Sequence, residues 1–117
     1  MKKPYITHID THPKNEVYGL EGVWIQWLLS KDIGVPTFEM RYFTVEPGKA
    51  TPYHKHEWEH EIFFVKGKGR LHTEFGDYDL TPGTAAYVPP NVMHQFQNIG
   101  DEPMNFICII PKRKDQE

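Results

Sequence analysis

A single cysteine, Cys108, stands in the 117 residues. No disulfide can form inside the chain, and a lone thiol fits a reducing compartment. No apolar run approaches the roughly 20 residues that cross a bilayer, so no membrane partner is expected. The N-terminus, M-K-K-P-Y-I-T-H, begins with charge but lacks the apolar segment of a secretory signal. These absences point to a cytoplasmic protein. Positive charge is scarce as well: 13 Lys and Arg against 16 Asp and Glu leave a net charge of −3. The one basic block, Lys112-Arg113-Lys114, reads as part of a solvated tail frayed over residues 112–117. Without a basic stripe or an RNA-type motif, nucleic acid is not the expected partner.

What the chain has in quantity is punctuation. Ten prolines and nine glycines divide it into short segments rich in aromatic and β-branched residues. A chain of this length builds one core, and such a pattern predicts an all-β domain over residues 1–117, a barrel or sandwich of short strands with little helix. Strands are expected at 23–29, 37–45, 62–65, 70–75, 78–80, 85–88, 94–98 and 105–110. A turn at 31–36 and one at Pro47-Gly48 separate the first of them, and a Gly76-Asp77 turn closes a hairpin. Residues 1–16 form a polar arm that either pairs as an edge strand or crosses to a neighbouring subunit. Aromatic edge strands on so small a barrel favour a homodimer that hides them.

Histidine carries the chemical signal. His54, His56 and His60 lie together before a strand, and His94 follows Pro89-Pro90-Asn91. Two clusters separated by a hairpin, each bracketed by turn residues, suggest one shared metal rather than polar surface. Imidazole suits Zn, Cu, Fe and Ni and can also hold Mn. His8, His12 and His72 have no partner at metal spacing and read as surface residues.

One rival deserves weighing. Residues 56–60 spell H-E-x-x-H, the zinc-peptidase string, which works only on a helix that puts both imidazoles on one face. Pro52 and Gly67 leave a short segment whose end, I-F-F-V, prefers strand. A strand–bend–strand is the better reading: His54 and His56 share a face, and a bend at 57–59 starts the next strand near His60. Because that bend breaks the alternation and both faces of the following strand are apolar, spacing alone leaves His60 and Glu61 open as the next ligand.

At this point the blocks resemble a known family. G-x5-H-x-H-x4-E-x5-G from Gly48 to Gly67 and G-x5-P-x-N-x2-H-x3-N from Gly83 to Asn98 are similar to the two cupin motifs. Asn91 stands where the second motif usually has glycine. The finer wording, M-R-Y-F-T-V-E-P-G at 40–48, H-K-H-E-W-E-H-E-I-F at 54–63 and C-I-I-P at 108–111, resembles the small four-histidine, manganese-binding cupins. The resemblance implies a double-stranded β-helix, the cupin jelly-roll barrel. It also implies a divalent transition metal, Mn first with Fe, Cu, Ni or Zn possible, on His54, His56, His60 and His94. In the commoner branch Glu61 would replace His60.

Arg41 shares parity with Phe43 and Val45, so it points inward and needs a carboxylate (Glu39 or Glu61) or a wet pocket. The resemblance places Arg41 near the metal as an anion anchor. It places Cys108 facing the same cavity, oxidation-prone if O₂ is activated there. Phe96 and Phe106 are the expected apolar walls. Four neutral imidazoles leave the ion its full charge and favour anionic ligands. The expected function is an oxygenase-type metalloenzyme acting on a small anionic or phenolic substrate, with Arg41 and Cys108 as its catalytic side chains. The alternative is a non-catalytic cupin that binds a small metabolite or metal.

Overall fold

The computed structural model describes residues 3–17 and 19–112. Of the tail expected over residues 112–117, Lys112 is described, its amide donating to the Thr37 carbonyl at 2.8 Å, and 113–117 lie outside the described residues. Nine strands follow in order: β1 (Asn15–Glu16), β2 (Val23–Leu29), β3 (Phe38–Val45), β4 (His60–Lys66), β5 (Gly69–Thr73), β6 (Gly76–Leu80), β7 (Ala85–Val88), β8 (His94–Asn98) and β9 (Met104–Pro111). Two single-turn 3₁₀ helices, Ile9–Thr11 and Lys31–Ile33, are the helical segments among the described residues.

The strands form a six-stranded sheet, β1-β2-β3-β9-β4-β7, and a three-stranded sheet, β6-β5-β8. All pairings are antiparallel. The two sheets close as a jelly-roll barrel, the all-β fold that the punctuation implied. Strict alternation fills its interior. Along β9, Met104, Phe106, Cys108 and Ile110 are buried while the intervening residues are half-exposed. Val45, Phe64, Leu80 and Val88 meet them from the other strands. Asn98, itself buried, ties the sheets together by donating its side-chain amide to the Val45 and Glu102 carbonyls, 2.8 Å each.

The arm stays close to its own chain. Asn15 and Glu16 pair with Ile25 and Trp24 as an edge strand, and Gln26 donates its amide to the carbonyls of Ile9 and His12. The 31–36 turn contains a 3₁₀ helix capped by the Ser30 side chain and ended by Gly34 at φ 80°.

Two boundaries need correction. The hairpin turn is Glu74-Phe75, two residues before the expected Gly76-Asp77. Thr73 explains the shift: its hydroxyl donates to the Gly76 carbonyl (2.8 Å) and accepts from the Phe75 amide (3.0 Å). Gly76, at φ 132°, then opens β6 opposite Thr73. Strand β4 starts at His60, where the bend at 57–59 puts it and two residues ahead of the 62–65 segment, because His60 and Glu61 pair with Val88 and Tyr87.

Candidate metal centre

The first histidine cluster is a strand–bend–strand, and the peptidase helix is absent from it. His54 forms an isolated antiparallel bridge with His94, its amide donating to the His94 carbonyl (3.1 Å) and its carbonyl accepting from the His94 amide (2.9 Å). The chain bends at Glu57 and Trp58 and enters β4 at His60. From the other side, Asn91 adopts φ 64°, a left-handed turn that asparagine accepts more readily than most residues, and its amide bonds the His56 carbonyl. One main-chain turn therefore locks the second motif against the first.

The side chains converge. Donor nitrogens of His54, His56 and His94 all lie within 4.8 Å of one another. The His60 ring centroid is 4.7 Å from that of His94 and 5.3 Å from that of His56. His56 stacks flat on Trp58 at 4.4 Å, which fixes its plane. At the position left open between His60 and Glu61, His60 is 4% exposed and lines the cavity, whereas Glu61 is exposed on the outer side of the sheet; the group of nitrogens within 4.8 Å is nonetheless His54, His56 and His94, without His60.

These imidazoles suit a cation's needs. An ion held about 2.1 Å from each nitrogen sets its donors about 3–4 Å apart, within a small contraction of the spacing seen. His94 Nδ1 sits 2.8 Å from the Val92 carbonyl, so with the proton there its Nε2 is left as the donor. His60 Nδ1 is buried with no hydrogen-bond partner, an orphan polar atom beside the cluster. Burial first, then the neighbouring His94 and Arg41, lowers the pKa of His54 and carries that of His60 down to about 2. Burial lowers His94 also, against the opposing pull of the Val92 carbonyl. The rings are therefore neutral bases, the form a metal takes up.

This has a consequence for the metal-free protein. The unfolded chain protonates these histidines near pH 6.5, while the folded chain refuses the protons. The stability they contribute is complete above about pH 6.5 and drains as pH falls towards the lowered folded values. In excess chelator the thermal midpoint should drop between pH 7.5 and pH 5. A flat or rising midpoint would contradict the burial of neutral imidazoles.

A cavity of about 230 Å³ opens on the cluster, and all four histidines, Arg41 and Cys108 line it. Phe96 and Phe106 form walls as expected. Trp27 and Phe43 do so too, and Trp27 could have been read from its pairing parity with Arg41 only once the β2–β3 register was known. Glu16, from the arm, lines the cavity and had no signal in the sequence. Arg41 meets no carboxylate: among the described residues no ion pair involves it. Its guanidinium donates to Cys108 Sγ at 2.8 Å and lies over the Trp27 and Phe43 rings, 5.5 and 5.1 Å from their centres. Glu39, one of the two carboxylates offered as a partner for Arg41, is buried and instead accepts from the Lys31 amide at 2.8 Å. Burial pushes the Cys108 thiol pKa up, against the pull of Arg41.

Residues 41–110 match the family description Cupin domain. The chain belongs to the cupins. A polyketide cyclase, RemF of Streptomyces resistomycificus, superposes with a TM-score of 0.87 at 25% identity, covering 95% of this chain and 81% of its own. The cupin is 29% identical over 80 residues to the 1-methylthio-D-xylulose 5-phosphate methylsulfurylase of Rhodospirillum rubrum, covering 68% of this chain and 51% of that protein. Oxalate decarboxylase of Bacillus subtilis is 36% identical over 72 residues, 56% of this chain and 19% of its own. The chain thus spans about half or less of the length of the curated relatives named here. The other histidines lie elsewhere. His8 caps a 3₁₀ turn, His12 meets the Thr7 hydroxyl, and His72 pairs with Asp77 at 2.6 Å on the surface of the small sheet.

Proposed function

We propose that this cupin is a metal-dependent enzyme of the oxygenase type, holding one divalent transition metal on His54, His56, His60 and His94. Manganese is the first candidate, and the same nitrogens accommodate Fe, Cu, Ni or Zn. The substrate is a small anionic or phenolic molecule. The observation that carries this reading is the convergence of four imidazoles and one guanidinium on a single aromatic-walled cavity.

The bound ion would supply Lewis acidity, together with redox chemistry towards O₂ if the metal is reducible. Everything else falls to the chain. Arg41, held in place by Cys108 and the Trp27 and Phe43 rings, binds the anionic group of the substrate. Phe96 and Phe106, tilted against each other with ring centres 4.7 Å apart, exclude water and give the cavity an apolar wall. Cys108 stays a neutral thiol at pH 7, so it orients the guanidinium without cancelling its charge. Two named relatives fit this chemistry, since a decarboxylase of oxalate takes a small anion and a cyclase of polyketides takes a carbonyl-rich one.

The test is O₂ consumption. Protein loaded with Mn or Fe should consume O₂ in proportion to product with at least one member of a panel of small carboxylates and phenols. His54→Ala should lose that uptake. Thermal stabilisation by a carboxylate with no turnover under any reducible metal would instead indicate a non-catalytic binding cupin.

A further inference from the structure

Among the residues that line the metal cavity, Thr51 carries the one hydroxyl. It stands just before Pro52, on the segment that runs beside β8, and two bonds fix it there. Its amide donates to the Phe96 carbonyl (2.9 Å), and its Oγ1 accepts from the Phe96 amide at 2.8 Å. The residue is only 6% exposed. A hydroxyl has one proton to give as well as lone pairs that accept. Here the accepting side is used, and among the described residues nothing takes the proton. Buried polar groups find partners, so this donor calls for an acceptor that the cavity itself must hold.

The other polar groups of the cavity are differently engaged. The four imidazoles serve the metal, and Cys108 Sγ takes one N–H of Arg41. Arg41 projects from β3 of the six-stranded sheet. Thr51 lies beside β8 of the three-stranded sheet, next to the Ala50–Gln97 bridge. A cation and a hydroxyl donor therefore reach one cavity from two different sheets.

We infer that Thr51 donates its hydroxyl proton to a second oxygen of the substrate, opposite the anionic group held by Arg41. This rests on the reading of the cavity as an anion site, and it narrows the substrate class. The substrate is a small molecule with two oxygen functions: an anionic one for Arg41, and a carbonyl, hydroxyl or phenolic oxygen for Thr51. The apolar part between them lies against Phe96 and Phe106. A simple carboxylate leaves the Thr51 proton unpaired in a buried place and binds less tightly for that reason. Thr51 is thus a specificity residue, oriented by the Phe96 amide, and no bond is made or broken at it.

Calorimetric titration of the full metal-loaded chain with benzoate and the three hydroxybenzoates tests this. The wild type should bind at least one hydroxybenzoate about fivefold or more tightly than benzoate. Thr51→Val, nearly identical in shape, should lose that preference, and Thr51→Ser should keep it. Valine also takes away the acceptor of the Phe96 amide, but that loss weakens all four ligands alike and leaves their ratio unchanged. Thr51→Ala reads the same way if Thr51→Val fails to fold. Arg41→Met should weaken all four ligands together. A preference that survives in Thr51→Val, or that is missing from a wild type that binds benzoate, would overturn the inference and leave the Arg41 anion site standing. A wild type that binds none of the four would overturn both.

Discussion

A His60→Ala protein is expected to lose its metal, while Glu61→Gln keeps a full complement. The two positions are adjacent in sequence and opposite in space. His60 is buried in the cavity with its ring beside His56 and His94, and Glu61 lies on the far side of the sheet. Losing an outer-shell partner of a metal ligand already costs about 10–100-fold in affinity, so losing a ligand should cost at least about a hundredfold. Plasma mass spectrometry on untagged protein, purified without added metal, should give close to one ion per chain for the wild type and for Glu61→Gln. His60→Ala should give less than a tenth of that. Metal loss in Glu61→Gln alone would reverse the ligand assignment.

The largest expected effect on stability is at Gly67, in the turn between β4 and β5. Its φ of 93° is a conformation that L side chains rarely adopt, which by itself costs about 1–2 kcal/mol. A Cβ there would also lie 2.8 Å from Met104 Cα, 2.9 Å from Met104 Cβ and 2.9 Å from the Pro103 carbonyl oxygen. Two of these are backbone atoms at the start of β9, which the core residue Met104 anchors, so the overlap adds about 1–3 kcal/mol. Gly67→Ala should therefore cost about 2–5 kcal/mol and lower the thermal midpoint by about 8–20 °C. Gly83→Ala is the control. Its φ is 94° but nothing lies within 4 Å, so only the backbone strain of about 1–2 kcal/mol should appear. Equal midpoints for the two variants would show that the contact with Met104 is not rigid.

These two residues also show how far the sequence could be read. Gly67 was visible as the glycine that closes the first motif. The reason for it, an approach by Pro103 and Met104 from a strand distant in sequence, was not. The strands themselves were legible because glycine and proline punctuate them and their interiors alternate cleanly. The hairpin turn was displaced because Gly76-Asp77 looks like a turn pair, while the Thr73 hydroxyl, through local bonds two and three residues along the chain, decides the register.

His60 and Glu61 were illegible for a physical reason. The bend at Glu57 and Trp58 resets the alternation, and β4 is apolar on both faces. Arg41 reads from sequence as facing inward, towards a carboxylate or a wet pocket, and it does line the cavity; its contact with Cys108 could not be read. The sequence offers Glu39 two positions away on the same face, yet Glu39 is held by the Lys31 amide and Arg41 reaches Cys108 across the sheet. Cross-strand partners depend on register, which a single sequence does not contain.

The claim on which this account rests is that one ion sits among four imidazoles. Anomalous scattering from a crystal of the protein as purified, collected at the absorption edge of the bound metal, tests it most directly. The account predicts a single strong peak within bonding distance of His54, His56, His60 and His94, with Glu61 remote from it. A peak ligated by Glu61, or no peak in the cavity of protein shown to contain metal, would contradict it.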